Sequence, residues 1–149
     1  MADESIKPVI RKMTRNDLGR MVEIDVKVLG EARPEYWETK LTLAERYSTV
    51  SPLVAEMDGK VVGFIIGAAS GWEYGVPVSL GWIDTIGVDP DYQKKGIARM
   101  LFQEMSANLK KAGVNKVHTY VAWRDWGLLK FFNAMGFQKG NMVNLELNI

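Results

Sequence analysis

An α/β fold with a mixed central sheet and helices on both faces is what this 149-residue sequence predicts, and three observations predict it. Short apolar, β-branched runs alternate along the chain with longer segments whose apolar residues recur at helical spacing. Two of those runs, Leu53 to Met57 and Lys60 to Ile66, are separated only by Asp58-Gly59, a pair that tolerates the positive φ angles of a two-residue hairpin. Other runs, such as Leu80 to Val88 and Lys116 to Trp123, are joined through helical segments, which form crossover rather than hairpin connections. Hairpins and crossovers in one sheet give antiparallel and parallel pairs together.

The elements follow in order. Val9 to Met13 is a short strand, and Thr14 with Asp17 three residues on resembles a capping arrangement for a helix through Leu18, Met21, Val22 and Ile24, closed by Gly30. Pro34, favoured in a first turn, opens a second helix through Trp37, Leu41 and Ala44 to Tyr47. After the hairpin, Ser70 to Ser79 is a loop carrying Trp72 and Tyr74, aromatics that either meet a substrate or cover the sheet. Leu80 to Val88 is a strand broken by Asp89-Pro90. A helix from about Gly96 to Lys111 then places Ile97, Met100, Leu101, Met105 and Leu109 on one face, with Gly113 ending it. Lys110 and Lys111 suit the negative end of that helix. Lys116 to Trp123 alternates as a strand, Asp125 caps a short helix through Leu128, Leu129, Phe132 and Met135 closed by Gly136, and Met142 to Ile149 alternates as a last strand.

Composition narrows the chemistry. With no cysteine and one histidine, thiolate nucleophiles, Cys zinc sites, iron–sulfur clusters and two-histidine metal motifs are excluded, so catalysis must use carboxylates, hydroxyls, amines, backbone dipoles or a bound cofactor. The balance of 19 Lys and Arg against 18 Asp and Glu gives no global reason to expect a nucleic acid or a membrane as partner. The longest uncharged apolar run, about Val61 to Gly71, is half a bilayer span, and the acidic start Met1-Ala2-Asp3-Glu4 lacks the features of a signal peptide, so the expected compartment is the cytoplasm. No repeat or linker interrupts residues 1–149, which read as one domain able to bury roughly two thirds of its surface without staples.

The stretch richest in chemistry is Ile86-Gly87-Val88-Asp89-Pro90-Asp91-Tyr92-Gln93-Lys94-Lys95-Gly96-Ile97-Ala98-Arg99. A strand ends, a loop with two lysines and a glycine follows, and an amphipathic helix begins there. Free backbone N–H groups, the positive dipole end and two ammonium groups therefore meet at one point, which on spacing alone reads as an anion site or as a solvated basic helix start. Gly96 admits an anion to the backbone without a Cβ in the way, and Ala98 keeps the first turn open. Neither a P-loop nor a Gly-x-Gly-x-x-Gly pattern is present.

Gln93-Lys94-Lys95-Gly96-Ile97-Ala98 resembles the Arg/Gln-x-x-Gly-x-Gly/Ala signature of the GNAT superfamily of N-acetyltransferases, and the preceding Val-Asp-Pro-x-Tyr pattern is common in it. Phe131-Phe132-Asn133-Ala134-Met135-Gly136-Phe137 is similar to the family's closing aromatic-x-x-x-Gly-Phe segment, at the expected distance. The resemblance runs from Leu80 to Phe137 and implies a single GNAT-like domain that takes acetyl-CoA as co-substrate. It implies backbone contacts to pantetheine and the acetyl carbonyl at Ile86, Gly87 and Val88, and pyrophosphate contacts at Gln93, Lys94, Lys95, Gly96, Ile97, Ala98 and Arg99. Asp125 falls where the family usually has an Asn touching the pantetheine, and Phe132 where it often has a Tyr; both are departures. The first 50 residues, which usually shape the acceptor pocket in this family, carry no motif.

The implied reaction moves an acetyl group directly to an amine acceptor, small molecule or protein, without a metal or covalent enzyme intermediate. A protonated amine is no nucleophile, so a base must remove a proton, and the departing thiolate benefits from a proton donor or positive dipole. Phe132 cannot donate that proton; Tyr120 or water can, or the coenzyme A thiol, acidic enough to leave as thiolate at modest cost, departs without help. The nearest motif match is to the ribosomal-protein alanine acetyltransferases, which place a base Glu where this chain has Tyr120, so their substrate does not carry over. Candidate bases are Asp84, His118 and Tyr120. On an ideal strand His118, Tyr120 and Ala122 share one face, and Asp84 shares an apolar face with Trp82 and Ile86 that would raise its pKa; a bulge would change that parity. Glu23, Asp25, Glu31 and Arg33 are further candidates to meet an acceptor or are solvated helix and loop charges. Trp123-Arg124-Asp125-Trp126 either walls the acceptor pocket or packs at a rim. The alternative to an enzyme is a non-catalytic acyl-CoA-binding module of the same fold, favoured by Phe132 and Tyr120. Monomer and homodimer are both compatible with the sequence, the latter through the final alternating segment.

Overall fold

The computed structural model describes residues 7–72, 75–77 and 79–149. Tyr74 and the acidic N-terminal residues lie outside these. The chain forms two compact units, Met1–Thr119 and Tyr120–Ile149.

The first unit contains β1 (Val9–Lys12), α1 (Leu18–Leu29), α2 (Pro34–Tyr47), β2 (Leu53–Met57), β3 (Lys60–Ala69), β4 (Leu80–Val88), α3 (Ile97–Lys111) and β5 (Lys116–Thr119). The five strands pair in sequence order, β1 to β4 antiparallel and β5 parallel to β4. This is the mixed sheet expected from combined hairpin and crossover connections. Asp58 and Gly59 both take positive φ, 54° and 73°, and join Met57 to Lys60 as a two-residue hairpin.

Helices cover both faces of this sheet. On one, Met21 and Ile24 of α1 and Trp37 and Leu41 of α2 pack with Val54, Val61, Phe64 and Ile66. On the other, α3 buries Ile97, Leu101, Met105 and Leu109, and it comes close because Gly63 and Gly67 of β3 carry no side chain: a Cβ at Gly63 would lie 3.2 Å from Ile97 and Leu101. Each helix ends as its sequence dictates. Gly30 caps α1 at φ +81°, Pro34 opens α2, and the α3 carbonyls are closed by the N–H groups of Ala112, Gly113 and Val114.

The entry to α1 is more elaborate than the Thr14/Asp17 pattern alone. Asp17 is buried, accepts from the Thr14 amide at 2.8 Å, and is held in bidentate fashion by Arg11 at 2.8 and 2.9 Å. Burial opposes ionisation of Asp17, but these bonds outweigh it and hold the carboxyl below its usual range.

The second unit contains α4 (Trp126–Ala134), whose first turn is capped by the Asp125 side chain accepting from the Leu128 amide at 3.0 Å. Two expectations are corrected here. The fifth strand stops at Thr119, and the Asp125 amide bonds the Ala122 carbonyl at 2.9 Å, so the chain is already turning where an extended run to Trp123 was expected. Met142 to Ile149 forms no strand: Val143, Leu145 and Leu147 are exposed, because alternation supplies a strand's two faces but not the backbone ladder of a neighbour. Among the described residues no helix is long and apolar enough to cross a membrane.

Candidate active site

The site is built around the C-terminal half of β4. Ile66 pairs with Thr85 and Gly67 with Ile83, so Asp84 is an extra residue in β4, a bulge. Faces alternate through the paired strands, which places Thr85 and Gly87 with Phe64 and Ile66 on the α1/α2 side, and Ile83 and Ile86 on the α3 side. The expected apolar face shared by Asp84, Trp82 and Ile86 is therefore broken at the bulge. Asp84 instead reaches α2, where Lys40 Nζ donates to its carboxylate, and its side chain is 41% exposed. An ion pair near solvent replaces the apolar setting.

Around that pair, Tyr36 lies one helical turn before Lys40, with the ammonium 5.6 Å from its ring centre and the Arg33 guanidinium 4.2 Å from it. Burial raises the Tyr36 phenol pKa above its ordinary value, and the charge on Asp84 adds to the rise. Arg33 in turn donates to both oxygens of Asp25 at 3.0 and 3.1 Å, and Trp37 Nε1 donates to the same carboxylate at 2.6 Å. Asp25 is thus a buried anchor between α1 and α2 rather than a solvated helix charge. Glu23 pairs with Arg20 on the helix surface.

The β4 edge also opens here. Pairing with β5 runs from Leu80/Lys116 to Ile83/Thr119, so no strand joins Ile86, Gly87 and Val88 on that side among the described residues. On that side Ile86 and Gly87 form a strand edge of the kind an extended ligand can join. Beyond Val88, Pro90–Tyr92 makes one turn of 3-10 helix, and Gln93 folds back to donate to the Val88 carbonyl at 3.4 Å. Lys94 and Gly96 then take left-handed φ angles of 63° and 77°, and α3 begins. Left-handed residues in a loop that opens a helix turn successive N–H groups toward one concave point, a nest for an anion. A Cβ on Gly96 would meet nothing within 4 Å, so the space in front of the helix start is open. A separate groove of about 530 Å³, lined among others by Lys12, Val50, Ser51, Asn108 and Lys111, lies toward the other end of α3.

The chain's sequence matches the profile of the Acetyltransferase (GNAT) family over residues 18–137. The chain belongs to the GNAT acetyltransferase family. It is 26% identical over 141 residues to an uncharacterized N-acetyltransferase of Methanocaldococcus jannaschii, a match covering 90% of this chain and 62% of that protein. The chain thus spans about three fifths of the length of that curated relative. In fold it is similar to an aminoglycoside N-acetyltransferase solved in complex with CoA, with TM-score 0.82, 15% identity and 99% of each chain covered. It is also similar to the ribosomal-protein-S18-alanine N-acetyltransferase from Escherichia coli, with TM-score 0.72, 19% identity, and 91% of this chain and 80% of that chain covered.

Lys94, Lys95, Gly96 and Arg99 are exposed around the helix start, while Ile97 is buried beneath it. His118 sits on β5 with its ring 5.1 Å from Trp82. Tyr120, just past the end of β5, and Asp125 belong to the second unit, and the strand face expected to join His118, Tyr120 and Ala122 is not formed. Phe132 is buried between Phe131 and Phe137, at ring distances of 5.3 and 4.8 Å. Trp123 and Trp126 are exposed. Sequence reasoning missed Tyr36 and Lys40; the only signal was their spacing on one face of the second helix.

Proposed function

We propose that this chain transfers the acetyl group of acetyl-CoA directly to a primary amine of a small-molecule or protein acceptor. The observation that carries the reading is the left-handed turn at Lys94 and Gly96 opening α3 soon after the end of β4, which pairs with β3 but is not reached by β5. The residues present fit the co-substrate: the backbone of Ile86, Gly87 and Val88 meets the pantetheine and acetyl carbonyl, and Gln93, Lys94, Lys95, Gly96, Ile97, Ala98 and Arg99 take the diphosphate. The family resemblance also assigns Asp125 and Phe132 to the pantetheine, each a departure from the residue usual there. The family profile runs across both units, which supports residues 1–149 acting as one acetyltransferase domain.

Acetyl-CoA, when bound, supplies an activated thioester carbonyl. Asp84 removes the acceptor's proton, directly or through water, with Lys40 holding the carboxylate in place. Tyr120 orients the acceptor or gives a proton to the departing thiolate; Phe132 packs. The aminoglycoside and ribosomal-protein enzymes of similar fold both act on amines, which supports the acceptor class without choosing within it.

Titration of the purified protein with acetyl-CoA, CoA and propionyl-CoA tests the reading, with micromolar binding expected. Thiol release on incubation with an amine panel then separates an enzyme from the second reading, a non-catalytic acyl-CoA-binding module, which the apolar packing of Phe132 favours. No binding to any of the three ligands overturns both.

A further inference from the structure

We infer that Arg20 and Lys27 of α1 are positioning residues for the Gln93–Arg99 loop, acting through the buried carboxylate of Asp89. The inference rests on reading that loop as the diphosphate site. Asp89 is fully buried. Its Oδ2 accepts from Arg20 Nη2 at 2.7 Å and from Lys27 Nζ at 2.9 Å; its Oδ1 accepts from Lys27 Nζ and from the Asp91 amide, both at 3.0 Å. Arg20 Nε also donates to the Val61 carbonyl at 2.9 Å, and the Asp89 amide to the Val62 carbonyl at 2.8 Å, so β3, α1 and the end of β4 meet at one residue. Lys27 further donates to Asp91 at 2.9 Å and thereby bridges the two carboxylates that bracket Pro90.

The loop needs such an anchor. Gln93, Lys94, Lys95 and Gly96 are exposed, yet Lys94 holds a left-handed conformation that costs a non-glycine residue free energy and persists only where its flanks determine it. One flank is Ile97, buried against β3. The other is Asp89. An apolar residue at that position can stabilise a protein as well as a buried ion pair does. What the ionic cluster adds is direction: Asp89, where the chain leaves β4 for the turn, cannot rotate without separating a charge from its partner inside the protein.

The test uses the full chain with Lys27→Met, Arg20→Met and the conservative Arg20→Lys, each checked for an unchanged cooperative melt. Two readouts are taken, CoA affinity by calorimetry and the rate of tryptic cleavage after Lys94 and Lys95. Both methionine variants are expected to bind CoA about tenfold more weakly and to be cut at the loop several-fold faster, with Arg20→Lys near the unsubstituted protein in both. Unchanged affinity and cleavage in a folded methionine variant overturn the inference, as does acceleration at all tryptic sites together, which marks general loosening. Should Arg20→Met not fold, Lys27→Met, whose side chain is 37% exposed, carries the test. Failure of the unsubstituted protein to bind CoA overturns the diphosphate reading instead, while loop cleavage still reports whether the anchor holds.

Discussion

The ring of Phe64 occupies the space that any side chain on Gly87 would need: a Cβ there would lie 2.5 Å from Phe64 Cζ. The two residues pair across β3 and β4 at the edge proposed to carry the acetyl group. Gly87→Ala is expected to destabilise the fold by about 1–3 kcal/mol through overpacking, and Phe64→Leu in the same chain to recover part of that loss. Chemical denaturation of the two single variants and the double variant measures the coupling; strict additivity would place the conflict elsewhere.

At Gly96 two effects can be separated. Gly96→Ala puts a methyl group into the open space at φ +77°, so it should cost about 1 kcal/mol of stability and weaken CoA binding several-fold. Gly96→Glu adds bulk and negative charge at the helix start and should abolish CoA binding while the circular dichroism spectrum is unchanged. Equal affinities for the two variants would remove the anion site from consideration.

Asp84→Asn keeps the shape of the β4 bulge and a hydrogen-bonding partner for Lys40 but removes the carboxylate proposed as the base. The expected result is a fall in kcat of about 100-fold, with the KM for acetyl-CoA unchanged, measured by thiol release with any amine the panel identifies. A loss confined to KM for the acceptor would make Asp84 a binding residue only.

Acid should loosen the Asp89 cluster in a definite window. Burial opposes the charge on Asp89, but the Asp91 amide, Arg20 and Lys27 outweigh it, and its pKa is lowered from 3.8 to about 2. Because the folded pKa lies below the unfolded one, the unfolded chain binds more protons between those values. The stabilisation is complete above about pH 4 and is lost as pH falls toward 2, on the order of 2 kcal/mol in all. Asp17, also held below its ordinary value, adds in the same direction. Urea midpoints measured from pH 5 to pH 2 should fall less steeply for Asp89→Asn than for the unsubstituted protein; parallel slopes would show that other carboxylates control acid unfolding.

What could be read from the sequence was what neighbours in sequence decide. The Asp58-Gly59 hairpin, Pro34 at a helix start, Asp125 as a cap and the loop opening α3 all depend on residues within a few positions of one another. The ties between α1 and the end of β4 do not: Arg20 and Lys27 stand 69 and 62 residues from Asp89, and nothing local distinguishes them from surface charges. The bulge at Asp84, raised as a possibility from the sequence, could not be located there for a related reason, since one extra residue changes every face beyond it and leaves no local pattern of its own. Val143, Leu145 and Leu147 show the converse, a strand's pattern where the described residues provide no partner.

Trp37 also gives the α1/α2 face an optical signature. It is buried with its indole N–H on Asp25 and its ring edge-on to Tyr36 and Phe64, whereas Trp72, Trp123 and Trp126 are exposed. A small aqueous quencher such as iodide reaches the exposed indoles and leaves Trp37 emitting. Trp82 on β4 is half-buried, so in a Trp82→Phe background the residual fluorescence under quencher follows the packing of one sheet face alone, and an acceptor that separates α1 from α2 would be seen as light lost.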